Sequence, residues 1–283
     1  YFHSNLLPNE MQKIGYTLFD RVNLMGMGKT TVTGIKSGEL FTRGLRLSVY
    51  LRADVVQEII KEHNHDTYHN SIFKNKGAVA SYLTLPNGTR LSIINMHLPF
   101  NAQSLIESTQ KEDRYIRMNA VSTQNIFFNN AYRKLVFDNP AQPHYVIVMG
   151  DLNYRMIPLE NWSAAQTGQG ILKSPRQYRD YDELNIEMQG GDIYPLNEGV
   201  NNSGPTFAPT CKMRKGRNIE DGVQLEDYNL GKHDARVPSY CDRILYQSYG
   251  DVPQMVCLLY DRFDEGMMSK SDHAGVYGLF SFA

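Results

Sequence analysis

The residues of this chain that could do chemistry are acids, amides and imidazoles placed where apolar runs end. In Tyr145-Val-Ile-Val-Met-Gly-Asp-Leu-Asn-Tyr-Arg155 a β-favouring run breaks at Gly150, and Asp151 and Asn153 follow with one residue between them. Strand periodicity points positions i and i+2 the same way. A carboxylate there can accept a proton from water, and a carboxamide can donate to an oxyanion or a phosphate oxygen. A strand closed by an Asx-turn is the plainer reading of the same residues, and the stretch by itself favours neither. His97 follows Asn95 at the end of a second run, and Ser271-Asp272-His273 precedes a third. Three strand ends carrying Asn/His, Asp/Asn and Asp/His predict one polar cluster at the rim of a sheet.

A basic group accompanies these. Asn75-Lys76-Gly77 precedes a strand, Lys212 to Arg217 holds four cations in six positions, and Arg236-Val-Pro-Ser-Tyr-Cys-Asp-Arg243 adds two arginines and Asp242. Lysine as a compact cation and arginine as a fork both suit phosphate oxygens. Standing alone, the Lys212 to Arg217 run reads as a solvated loop.

The elements that must position these groups follow from periodicity. Phe2 to Ile14 has helical spacing and stops at Gly15, and Tyr16 to Asn23 reads as a strand. Arg43 to Arg52 alternates Leu45, Leu47, Val49 and Leu51 against polar neighbours, the pattern of a half-buried strand. Asp54 to Asn75 is polar, so its histidines His63, His65 and His69 are expected on a solvated loop or helix face rather than on a metal. Ala78 to Leu85 and Thr89 to Met96 flank Pro86-Asn87-Gly88, a hairpin signal. Gln103 to Phe137 reads as largely helical, and Asp182-Glu183-Leu184 as a helical piece. Ile244 to Tyr246, Val256 to Tyr260 and Val276 to Phe280 read as short strands. Interleaved strands and helices with no dividing linker predict one α/β domain.

Composition narrows the function. With 283 residues, 41% hydrophobic content and a net charge of −1, the chain can bury a large core and carries no global basic field for nucleic acid. Cys211, Cys241 and Cys257 are odd in number and lack metal-ligand spacing, which fits free thiols in a reducing, cytoplasmic setting. No apolar run approaches a membrane span.

Seven segments in register resemble one family. Asn75-Lys-Gly-Ala-Val79, Asn95-Met-His-Leu98, Gly150-Asp-Leu-Asn-Tyr-Arg155, Tyr181-Asp-Glu-Leu-Asn185, Thr206-Phe-Ala-Pro-Thr-Cys-Lys212, Arg236-Val-Pro-Ser-Tyr-Cys-Asp-Arg243 and Ser271-Asp-His273 are similar, in this order, to the inositol polyphosphate 5-phosphatases of the endonuclease/exonuclease/phosphatase superfamily. The resemblance runs from about Lys76 to the C-terminus. It implies an α/β sandwich of two mixed β-sheets flanked by helices on both outer faces. It also implies Mg²⁺-dependent removal of the 5-phosphate from a phosphoinositide or an inositol polyphosphate by direct attack of water. By matching position, Asp151 is the general base, and Asn153 and His97 hold the scissile phosphate. His273, oriented by Asp242, stabilises developing charge, and Asp272 lies on the metal side. Lys212 meets a 4-phosphate, with Lys76 and Arg155 as helpers, and Arg243 belongs to the same substrate-facing basic group. The implied enzyme is cytoplasmic and peripheral at membranes, which it meets through the lipid headgroup, with no nucleic-acid partner.

Two features depart from the family pattern. The glutamine-glutamate motif that supplies the principal Mg²⁺ ligand has no counterpart, so residues 1–283 are expected to be one catalytic domain cut after that glutamate. Cys211 stands where the family usually has a tyrosine, and a thiol cannot reproduce a phenol's hydrogen bond. Leu98-Pro99-Phe100 beside His97 is expected to pack rather than to touch lipid. The alternatives are an inactive domain that still binds phosphoinositides or a protein, and a superfamily nuclease.

Overall fold

The computed structural model describes residues 6–25, 44–52, 62–69, 76–100, 112–216, 219, 222–230, 236–263 and 271–282. The chain divides into two compact units: residues 1–97, 131–148 and 248–252 in the first, and 98–130, 149–247 and 253–283 in the second.

The first unit begins with helix α1 (Leu6–Lys13), which ends at Gly15 with φ 84°, and strand β1 (Tyr16–Met25). β1 pairs antiparallel with β2 (Gly44–Arg52), and the pairing slips between Leu18 and Asp20. Leu47 and Val49 of the alternating stretch are buried with Val22, so the expected half-buried strand is there. β3 (Glu62–His69), β4 (Gly77–Thr84) and β5 (Arg90–His97) follow as an antiparallel series. The β4–β5 turn is the Asn87-Gly88 hairpin, with Gly88 at φ 83°, a conformation glycine adopts without strain. Ala78, Val79, Ala80, Ile94 and Met96 are fully buried and form the centre of this unit. Gly77 lets β1 approach closely: a Cβ there would stand 2.1 Å from Leu24 Cδ2. β6 (Tyr145–Asp151) follows β5 in strand order.

β3 corrects the expectation of a solvated loop or helix face. His63 to His69 lacks apolar alternation, but all eight residues of β3 pair with β4, from Glu62 opposite Thr84 to His69 opposite Gly77. Pairing with an existing strand overrides weak intrinsic propensity.

The second unit carries α2 (Glu112–Tyr132) as far as Asn130, then α3 (Ala164–Lys173) and α4 (Glu183–Gly190). The expected helix from Gln103 onward lies partly outside the described residues; within them it is α2, prolonged by a wider turn over Arg133–Phe137. Ser163 and Gln166 form a capping box at the start of α3. β7 (Asn197–Glu198) pairs antiparallel with β8 (Asp242–Ser248), and β9 (Val256–Arg262) with β10 (Val276–Ser281).

Candidate active site

Asp151 closes β6. Tyr145, Val146 and Val148 are buried, which fixes the strand, and Gly150 at φ 132° lets the chain leave it. Asn153 then sits in the left-handed region at φ 59°, which asparagine tolerates better than most residues. Its N–H donates to Asp151 Oδ1 at 3.1 Å. The two side chains are therefore related by an Asx-turn, and the strand spacing expected to align them ends at Asp151. Asn153 is held at both ends of its amide: Nδ2 donates to the Leu98 carbonyl at 3.0 Å, and Oδ1 accepts from Arg155 Nη2 at 3.0 Å. Arg155 lies over the Phe100 ring, 4.2 Å from its centroid, and its backbone N–H donates to Glu183 Oε2 at 2.7 Å. Arg155, expected as a substrate helper, thus positions Asn153, and Leu98 is fully buried, as packing requires.

Three distant segments are stitched beside this turn through their backbones. Leu152 N–H donates to the Cys241 carbonyl at 2.8 Å. Cys211 pairs with Ser239 on one side and with His273 on the other, and Ala274 N–H donates to the Thr210 carbonyl at 2.9 Å. Thr210 Oγ1 accepts from the N–H groups of both Cys241 and Asp242 at 3.2 Å, which fixes the start of β8. The Pro209-Thr-Cys-Lys segment is the hub on which the Asp242 and His273 segments meet.

The result is a compact acid–imidazole group. One ligand atom from each of Asp151, Asp242 and His273 lies within 4.8 Å of the others. His273 Nδ1 donates to Asp242 Oδ2 at 2.9 Å, and Nε2 faces Cys211 Sγ at 3.5 Å. Burial disfavours the charged imidazole, but the bonds to Asp242 and Cys211 outweigh it and push the His273 pKa up to about 11. His273 is an imidazolium at neutral pH. Burial raises the Asp242 pKa against the pull of His273. The Cys211 thiol is drawn well below its usual range by Cys241, with His273 and Arg155 assisting against burial.

The remaining expected residues fall in three places. Lys212 Nζ is 3.0 Å from Asp272 Oδ2, and Lys215 Nζ is 3.9 Å from Oδ1. Asp272, expected on the metal side, is therefore an ion-pair partner of this lysine pair and no member of the acid–imidazole group. Arg243, expected at the substrate, is fully buried. Its guanidinium forks onto Asp182 and Glu198, with Nε 2.7 Å from Glu198 Oε1, and Tyr260 OH donates to the same oxygen at 2.8 Å. A phosphate would have to displace two buried carboxylates to reach it, so Arg243 is scaffold. In the first unit, Lys76 Nζ and His97 Nε2 are in hydrogen-bond contact.

Several supports leave no mark in the sequence. Thr210 and Ser239 sit inside the family-like motifs, yet nothing in composition says that Thr210 caps β8 or that Ser239 Oγ accepts from Met156 N–H at 3.1 Å. Arg262 lies beyond the strand read at Val256 to Tyr260, yet it ends β9, is buried and donates to the carbonyls of Ala208 (3.1 Å) and Pro209, bracing the hub.

Residues 14–279 match the profile of endonuclease/exonuclease/phosphatase family 2. The chain is 30% identical over 215 residues to the phosphatidylinositol 3,4,5-trisphosphate 5-phosphatase 1 of Xenopus laevis, which covers 73% of this chain and 18% of that protein. The chain thus spans about a sixth of the length of the curated relatives it matches first. Among solved structures it resembles the inositol polyphosphate 5-phosphatase domain of SPsynaptojanin in complex with inositol (1,4)-bisphosphate and calcium ion. The TM-score is 0.63 at 22% identity, over 97% of this chain and 65% of that one. A Cimex nitrophorin ferrous NO complex reaches the same TM-score at 17% identity, over 97% of this chain and 77% of its own. These likenesses show the fold, the α/β architecture that the motifs imply.

Proposed function

The chain belongs to endonuclease/exonuclease/phosphatase family 2, and on that premise we propose that it is a phosphoric monoester hydrolase. Its substrate is the 5-phosphate of a phosphoinositide or an inositol polyphosphate. The observation that carries this reading is the Asp151–Asp242–His273 group, because the fold alone also serves a nitrophorin. In the reaction, water attacks phosphorus in line with the ester oxygen. Asp151 takes the water proton as the P–O bond forms, and the inositol oxygen leaves with the P–O electron pair and takes a proton from solvent water. Asn153, fixed by Leu98 and Arg155, presents its amide to a phosphoryl oxygen, and the His273 imidazolium stabilises the charge that develops there. His97 serves the scissile phosphate, and Lys212, with Lys76 as helper, a neighbouring one.

The donor chemistry fits a divalent cation. With His273 protonated, the carboxylates of Asp151 and Asp242 are the groups that would hold Mg²⁺, an ion that takes one or two carboxylates and completes its shell with water and substrate oxygens. When bound, Mg²⁺ supplies neutralising charge at the phosphoryl oxygens. We place the protein in the cytoplasm and at membranes only peripherally, through the headgroup. Among the described residues no helix is long and apolar enough to cross a membrane.

The test is phosphate release from soluble inositol 1,4,5-trisphosphate and from phosphatidylinositol 4,5-bisphosphate vesicles, with single-stranded DNA cleavage alongside. Mg²⁺-dependent release of one phosphate, stopped by chelation and without DNA cleavage, is expected. DNA cleavage without phosphate release would make the chain a nuclease.

A further inference from the structure

A second group of metal-type donors lies in the first unit, on strands that the proposed chemistry does not use. β1 brings Asp20, and β3 brings His63 and His65; one ligand atom from each lies within 4.8 Å of the others. The backbone aims them together. His63 and His65 are two apart on a strand and so share a face. Their partners across the β3–β4 ladder, Leu83 and Ser81, stand on that same face. β1 meets it: Leu24 packs onto Gly77, and the slip in pairing between Leu18 and Asp20 is a bulge of the kind that re-aims a side chain.

The state of Asp20 points to a ligand. The residue is 8% exposed, and a carboxylate is costly to bury unless it is paired or binds a metal. His63 Nε2 stands 2.8 Å from Asp20 Oδ2 and is its ion-pair partner when the ring is protonated. Ser81 on the same face is fully buried beside them. A divalent ion placed between Asp20 Oδ2 and His63 Nε2 would take the place of the shared proton and would also lie within reach of His65. Donors bound to one tetrahedral Zn²⁺ stand about 3.3 Å apart. The His63 ring packs edge-on against Phe19, 4.9 Å between centroids, and His65 is exposed beside it.

We infer that Asp20, His63 and His65 form a binding site for a divalent transition ion of the zinc class, tying β1 to β3. Two imidazoles and one carboxylate suit Zn²⁺, Co²⁺ or Ni²⁺ and disfavour Mg²⁺, which takes oxygen ligands. Three protein ligands leave one position for water. The site is independent of the proposed hydrolysis and stands or falls apart from it.

Metal-stripped full chain, titrated with Zn²⁺ against a chromophoric chelator and with Co²⁺ followed by its visible bands, tests this. The chain should bind one equivalent that His65→Ala weakens at least about a hundredfold, the upper end of what loss of a mere outer-shell partner costs. The surface control His69→Ala and the acid-group variant Asp151→Asn should keep it. Zn²⁺ should raise the melting temperature of the unmodified chain and leave that of His65→Ala unmoved. His65 is exposed, so its removal leaves the fold intact, as circular dichroism can verify. Asp20→Asn provides the second ligand deletion. Unchanged Zn²⁺ affinity and stoichiometry in both variants would overturn the site.

Discussion

His273 carries the charge on which the proposed chemistry leans, and Asp242 keeps it charged. The sign is direct: a hydrogen bond from Nδ1 to a carboxylate favours the protonated ring, so removing the carboxylate lowers the pKa. In Asp242→Asn the His273 titration, followed by NMR of the ring protons, should fall from about 11 towards the ordinary 6.5. A titration that stays near 11 would mean that Cys211 alone holds the proton. Lys212 lies beside Asp272, half-exposed and within reach of a ligand. A charged hydrogen bond contributes about 1.5–3 kcal/mol. Lys212→Ala should therefore raise KM about tenfold or more for a substrate with a 4-phosphate and leave one without it nearly unchanged. Equal effects on both would remove Lys212 from that role.

At the scale of elements, the site is held by what lies beneath it. Asp182 stands at the N-terminal cap position of α4, but its carboxylate turns to Arg243. Glu198 comes from β7 and Arg243 from β8, so one buried cation ties a helix start to two strands. Removing one partner of such a group leaves buried charge uncompensated, at a cost of about 3–5 kcal/mol. Arg243→Met should lower unfolding stability by about that amount in urea. Full stability with a raised KM would restore Arg243 to the substrate. The elements themselves were largely legible. Alternation showed β2, Asn87-Gly88 showed the β4–β5 hairpin, and Gly150 showed the end of β6. Three things were not legible. β3 exists through its ladder with β4 rather than through its own polar residues. Asn153 owes its direction to a left-handed turn, which spacing along a strand cannot express. Arg243 looks like any arginine in a basic motif until Asp182 and Glu198, 61 and 45 residues away in sequence, are seen around it.

For the whole molecule, three strand ends predicted one rim cluster; of their residues Asp151, Asn153 and His273 lie in one unit with Asp242 and Arg155, while Asp272 turns to Lys212. The sequence also carried the family, because seven short motifs in register constrain far more than any one of them. What it could not carry was the division of labour among similar charges. Lys212 and Asp272 pair with each other, and Arg243 pairs inward, although all three lie in or beside motifs that read as substrate-facing. The proposed hydrolysis rests on Asp151 as the group that activates water against the phosphate ester. The most direct measurement is Mg²⁺-dependent phosphate release from phosphatidylinositol 4,5-bisphosphate by the unmodified chain and by Asp151→Asn, with matched circular dichroism. Loss of a general base predicts a fall in kcat of about 10²–10⁴ with the fold intact. Turnover of the variant at the unmodified rate would contradict the account.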